Sequence, residues 1–154
     1  MIDSIDLCNI IIRKAGPMNQ LKVQKLVYYY QAFHLVFFDV PVVEDEFVAG
    51  VHGPTSLKIL KNYSRYSMDE DLKKKYSMRI DDPLSKDQET LLDEVLERYS
   101  PLASYQLEVL SHSELPWKEA RGKCTFDERS DIPISLSTMK AYYGKFATYT
   151  EGKS

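Results

Sequence analysis

NQLKVQKLVYYYQAFHLVFF, residues 19–38, is the stretch that decides how this chain folds. Leu21, Leu26, Tyr29, Tyr30, Phe33, Val36 and Phe37 recur at steps of three and four, which places a wide apolar stripe on a helix. Asn19 suits the N-cap, because a short side-chain oxygen there can accept from an otherwise unpaired N–H of the first turn. Asp39 to Pro41 breaks the pattern. Lys22, Lys25 and Gln31 are expected on the helix's remaining faces. So apolar a helix is predicted to be the central one, touched by neighbours on several sides.

Upstream, Ile5, Cys8, Ile11 and Ile12 predict a shorter helix over Ser4 to Lys14, capped by Asp3 and stopped by Ala15-Gly16-Pro17. Downstream, Val42 to Val51 is β-rich and reads as an irregular extended segment or a small hairpin. Pro54 is expected in the first turn of a helix carrying Leu57, Ile59, Leu60 and Tyr63. Ser64 to Leu84 is polar and poorly periodic, and reads as a long connection.

The clearest helix start is Ser85 with Gln88 three residues on, a capping box ahead of Leu91, Leu92, Val95, Leu96 and Tyr99. Ser100-Pro101 is expected to end that helix and to open another through Leu102, Tyr105, Leu107 and Leu110. A short amphipathic turn around Trp117 follows. Ser135 or Ser137 then caps a last helix with Met139, Tyr142, Tyr143 and Phe146, whose tail is expected to fray from Tyr149. The fold class expected is mainly α: a compact helical bundle around the central apolar helix, with at most a small β element near residues 42–51. One domain is expected over 1–154, with an ordered core over about 4–148.

Composition narrows the function. A hydrophobic share of 44% excludes wholesale disorder, and a net charge of −3 speaks against a binder of phosphate backbones, which needs a basic excess. The run Lys73-Lys74-Lys75 follows Asp69, Glu70 and Asp71, so it reads as a solvated mixed-charge segment. Met1 to Asp6 lacks the basic start of a secretory signal, and no apolar stretch reaches the roughly 20 residues that span a bilayer. Cys8 and Cys124 stand far apart in no metal-ligand spacing. A reducing cytoplasm is the expected setting, with no membrane partner.

Reactive signatures are missing. There is no phosphate-cradling glycine loop, no nucleophile elbow and no HExxH zinc helix. His34, His52 and His112 each stand alone, so hydrogen-bonded structural roles are expected rather than metal binding. No catalytic residue, cofactor or metal is expected, and the chain does not read as an enzyme.

Two constellations ask for more than composition. Val51-His52-Gly53-Pro54 shapes a tight corner, since glycine reaches backbone angles closed to other residues and proline fixes φ. Leu110 to Arg121 joins Ser111, His112 and Pro116 at a helix end to Trp117, the largest apolar anchor, and to Arg121 one helical turn on. Burial in the core is the default reading for Trp117; an exposed Trp-Arg pair there would instead be a binding hot spot.

At these residues the chain resembles a known family. Leu21 to Tyr29 with Gln31-Ala32-Phe33-His34, the Gly53-Pro54 corner, Leu110-Ser111-His112 with Pro116-Trp117 and Ala120-Arg121, and Ile132-Pro133-Ile134 are similar, in that order, to the motifs of the Panacea domain. That domain is also called the SocA-like or phage-associated GepA-like antitoxin domain. The chain departs from the pattern at Tyr30, where a small residue is common, at Gly50, and at Thr55.

The resemblance implies an antitoxin that neutralises a cognate bacterial or phage toxin by direct protein contact. Two alternatives stay open: an adaptor delivering its toxin to a cytosolic protease, and a DNA-binding regulator of the toxin–antitoxin operon, though no convincing basic helix-turn-helix is present. The slight acidity would speed encounter with a basic, RNA-facing toxin. Structural roles are expected for Tyr29, His34, Gly53, Pro54, His112 and Pro116. Partner contact is expected on exposed faces near Lys22, Lys25, His52, Trp117 and Arg121, and along Ser64–Leu84.

Overall fold

The computed structural model describes residues 1–73, 83–125 and 127–152, with side chains as far as Ala147. Residues 74–82 of the polar connection, including Lys74 and Lys75 of the basic run, lie outside the described residues.

Among the described residues the chain forms seven helices and one two-stranded antiparallel sheet, so it is mainly α. In chain order these are α1 (Ser4–Ala15), α2 (Gln20–Phe38), β1 (Phe47–Gly50), β2 (Gly53–Ser56), α3 (Leu57–Asn62), α4 (Lys86–Tyr99), α5 (Ser104–His112), α6 (Leu115–Arg121) and α7 (Leu136–Gly152).

Helix α2 is the axis. It touches α1, α3, α4, α5, α7 and β2, and it is buried without a break from Val23 to Leu35. Tyr28, Tyr29 and Tyr30, three consecutive rings pointing to different sides, are all fully buried. Burying a large apolar side chain contributes roughly 1.5–3 kcal/mol, so a helix covered all round anchors the core. Rings gather there edge to face: Tyr28 on Phe47 and on Tyr143, and Tyr29 on Tyr143, with Tyr29 stacked flat on Tyr99 at 4.1 Å.

The helix ends follow the side chains that the sequence offers. Asp3 accepts from the Ile5 and Asp6 N–H groups, Asn19 from Lys22 and Ser135 from Thr138. Ser85 and Gln88 form the full reciprocal capping box. Asp39 closes α2 in the left-handed conformation, with its N–H on the Leu35 carbonyl.

Three expectations need correction. Pro54 lies in β2 and not in a helix, and α3 starts three residues later, where the Ser56 hydroxyl accepts from the Ile59 N–H. Ser100-Pro101 forms a turn; α5 begins at Ser104, with the Ala103 N–H held by Gln106 Oε1 at 2.8 Å. Lys25 and Gln31 are buried and not on a solvent face. The last helix spans Leu136–Gly152.

The small sheet is a tight hairpin over residues 47–56, pairing Gly50 with Gly53 and Ala49 with Pro54. Residues 132–134 run along its outer edge: the Ala49 N–H meets the Ile132 carbonyl at 2.9 Å, and the Ile134 N–H meets Phe47 O at 2.7 Å. Ala49 therefore directs its backbone away from β2. That direction suits a partner, Pro54, that has no N–H to give.

Candidate functional site

The motif side chains converge on the hairpin. Three consecutive carbonyls at its turn are taken by side chains from α5 and α6. Arg121 Nη1 donates to Ala49 O at 3.1 Å, Trp117 Nε1 donates to Gly50 O at 2.8 Å, and the His112 ring bonds the Val51 backbone. The three side chains also hold one another. His112 stacks on Trp117 with centroids 3.9 Å apart, and the Arg121 guanidinium lies 5.3 Å from the indole centroid. Pro116 sets the first turn of α6, where its missing N–H costs nothing. Burial holds the His112 pKa below its ordinary value, so near neutral pH the ring stacks uncharged. Its Nε2 is buried without a partner among the described residues.

From the other side, α2 supplies side chains that act as strand partners. Gln24 accepts from the Ser56 N–H at 2.9 Å and donates back to the Ser56 carbonyl at 3.0 Å. Seven residues on, Gln31 does the same for the Val42–Val43 backbone. Asp45 Oδ2 accepts from the Ser4 and Ser56 hydroxyls. These buried amides are satisfied, which is what allows polar residues to sit in so apolar a helix.

Gly53 lies where the two sides meet. Its φ is +110°, and a Cβ there would come within 2.9 Å of Ser111 Oγ and 3.1 Å of Lys25 Cε. The Lys25 side chain passes beneath this glycine, with its Nζ on the Leu21 carbonyl at 3.3 Å. Burial pulls the Lys25 ammonium down to about 8, opposed by the charge of Glu108.

A second buried network pins α6 and α7 to α2. Tyr29 and Tyr143 both donate to Glu114 Oε1 at 2.7 Å, and the Tyr28 and Tyr143 hydroxyls pair at 3.1 Å. Burial raises the Glu114 pKa, against the two phenol hydrogen bonds, which lower it. His34 closes the far end of α2. Its Nδ1 donates to Val40 O at 2.6 Å, which leaves Nε2 to accept from Gln88 of the α4 capping box.

Of the residues expected to face a partner, His52 is exposed, with its ring 3.3 Å from Glu108 Oε1. Lys22 is half-buried and donates to Ser100 O at 2.6 Å. Lys25, Trp117 and Arg121 are buried, which corrects the expectation of exposed faces there. Their polar ends satisfy this chain's own backbone. Among the described residues no cluster of His, Cys, Asp or Glu is arranged to hold a metal, and no helix is long and apolar enough to cross a membrane.

Beside the hairpin, α2 and α3 leave a cavity of about 230 Å³. Leu21, Leu57, Leu60 and Met68 give it apolar walls, and Gln20, Lys25 and Arg129 are among its polar lining residues. Sequence reasoning missed this place. The available signal was the polar set Gln20, Gln24, Lys25 and Gln31 inside an apolar helix, with spacings that return to the same side.

What this arrangement defines is a mainly helical protein in which the motif residues brace a largely buried hairpin that exposes His52 at its turn. The model of the family described as antitoxin SocA-like, Panacea domain, matches residues 23–118, and the chain belongs to that family. No curated protein and no solved structure matches it.

Proposed function

We propose that this chain neutralises a cognate toxin by direct protein–protein binding, with the hairpin turn around His52 and the adjoining α3 surface as its docking face. The observation that carries the reading is the convergence of Lys25, Ser111, His112, Trp117 and Arg121 on that hairpin. A surface turn held from two sides loses little conformational freedom on binding, and such preorganisation is what raises affinity. Leu57 and Met68 stand exposed beside it, ready to be covered. His52 is then the partner-facing member of the motif set, while Trp117, Arg121 and Lys25 act through the backbone they hold. The setting is the cytoplasm, and no reaction is assigned to the chain.

The test is co-expression with a toxin encoded beside this gene. Growth is restored and the two proteins co-purify, and Leu57→Glu with Met68→Glu abolishes both effects while leaving the circular dichroism unchanged. A toxin that stays lethal and never associates with this chain overturns the reading.

A further inference from the structure

We propose that the cavity between α2, α3 and the hairpin captures the carboxyl-terminal residue of a partner polypeptide. The terminal carboxylate lies against the Lys25 ammonium, the residue's N–H on Gln20 Oε1, and its apolar side chain between Leu21, Leu57 and Met68. This rests on the docking face proposed above and names what the partner presents to it.

Two buried polar groups at the cavity have unused capacity. Lys25 is 2% exposed, and among the described residues its ammonium makes a single hydrogen bond, to Leu21 O at 3.3 Å. Gln20 is 1% exposed. Its Nε2 is fixed by the Tyr63 and Tyr66 carbonyls, at 3.2 and 3.0 Å, while Oε1 has no partner among the described residues. Native proteins seldom leave such atoms unpaired, and a ligand is one of the few things that complete them. The first group asks for an anion and the second for a hydrogen-bond donor.

Charge and size narrow the ligand. No Asp or Glu lines the cavity, whereas Lys25, Arg129 and His52 do, on a chain whose net charge is −3. Glu108 of α5 engages His52 from outside the lining. A volume of about 230 Å³ is below the range of drug-sized pockets and suits one amino-acid residue. A carboxyl-terminal residue carries its carboxylate, its N–H and its side chain on a single Cα, and capture of that end is a recurring mode of peptide recognition. An internal acidic residue would spend its side chain on the lysine and leave the apolar walls empty.

The experiment titrates the full chain with N-acetyl-leucine, N-acetyl-leucinamide, N-acetylglutamate α-amide and N-acetyl-Gly-Gly-Leu, followed by amide chemical shifts. N-acetyl-leucine shifts resonances around Gln20, Lys25 and Leu57, and the tripeptide binds at least as tightly. The amide of leucine binds at least about tenfold more weakly, as expected for losing a charge-assisted hydrogen bond. Lys25→Met weakens N-acetyl-leucine by a similar factor. Leu57→Glu, an exposed change that cannot unfold the core, weakens it as well by adding a like charge at the mouth. Binding that ignores amidation or the lysine overturns the inference, as does a preference for the glutamate amide or exclusion of the tripeptide. Toxin neutralisation with no fragment binding would sink this inference and leave the proposed function standing. Fragment binding without neutralisation does the reverse.

Discussion

The indole N–H of Trp117 donates to the carbonyl oxygen of Gly50 at 2.8 Å, and through it α6 holds the turn of a hairpin 67 residues earlier in the chain. Arg121 and His112 take the carbonyls on either side, at Ala49 and Val51. A buried tryptophan with a satisfied N–H is both an apolar anchor and a directional one.

Trp117→Phe keeps a ring for His112 to stack on and removes the donor. The expected loss is about 1–2 kcal/mol in urea unfolding, the usual scale for a buried hydrogen bond removed from one side. An unchanged midpoint would mean that the hairpin turn does not depend on α6.

Gly53 and Gly16 form a matched pair. Both have positive φ, +110° and +94°, but only the first has neighbours where a Cβ would go. Gly16→Ala is expected to cost about 1 kcal/mol from backbone strain alone, and Gly53→Ala a further 1–3 kcal/mol from pushing Ser111 and Lys25 aside. Equal destabilisation of the two variants would refute the close approach beneath the hairpin.

Glu114 serves two phenols with one oxygen. Glu114→Gln retains an acceptor and should shift stability by less than about 1.5 kcal/mol. Glu114→Leu strands two buried hydroxyls and should cost about 2–5 kcal/mol. Thermal melts of both variants beside Tyr143→Phe check the order.

Lys25 gives a pH signature. Its folded pKa of about 8 lies below the ordinary 10.5, so between those values the unfolded chain binds more protons and stability rises with pH. Below pH 8 the fold carries the whole cost of the buried ammonium, about 3 kcal/mol by linkage. The urea midpoint of the natural chain should therefore gain on that of Lys25→Met as pH rises from 7.5 to 9.5. Buried Cys8, Tyr28, Tyr29 and Tyr143, whose pKa values burial raises, lower the stability of both proteins alike once the unfolded chain begins to lose those protons, from about pH 8.5. A difference between the two midpoints that stays constant from pH 7.5 to 9.5 would contradict the buried charge.

Much of the fold was legible because its signals are local. Asp3, Asn19, Ser85 with Gln88, and Ser135 mark helix starts through bonds that span two or three residues. The start of α5 was misread because Ser100-Pro101 offers the better local cap chemistry, whereas Ala103, the N-cap used, has no side-chain acceptor and relies on Gln106 reaching back to its N–H. Pro54 was misread for a related reason. Proline suits a first helical turn equally well as a strand position whose N–H is not needed, and only its pairing with Ala49 separates the two.

The site divides along the same line. Sequence alone determined that the chain is mainly helical, which helix is central, and which stretches resemble the family's motifs. Periodicity, capping and side-chain chemistry act within a few residues of one another. The tertiary structure decided where those residues point: Lys25 and Arg121 inward, Gln24 and Gln31 onto distant backbone, Trp117 onto Gly50. A charged or amide side chain can lie in water or beneath another segment with the same local backbone. The choice depends on which unpaired carbonyl or N–H the rest of the fold brings within reach.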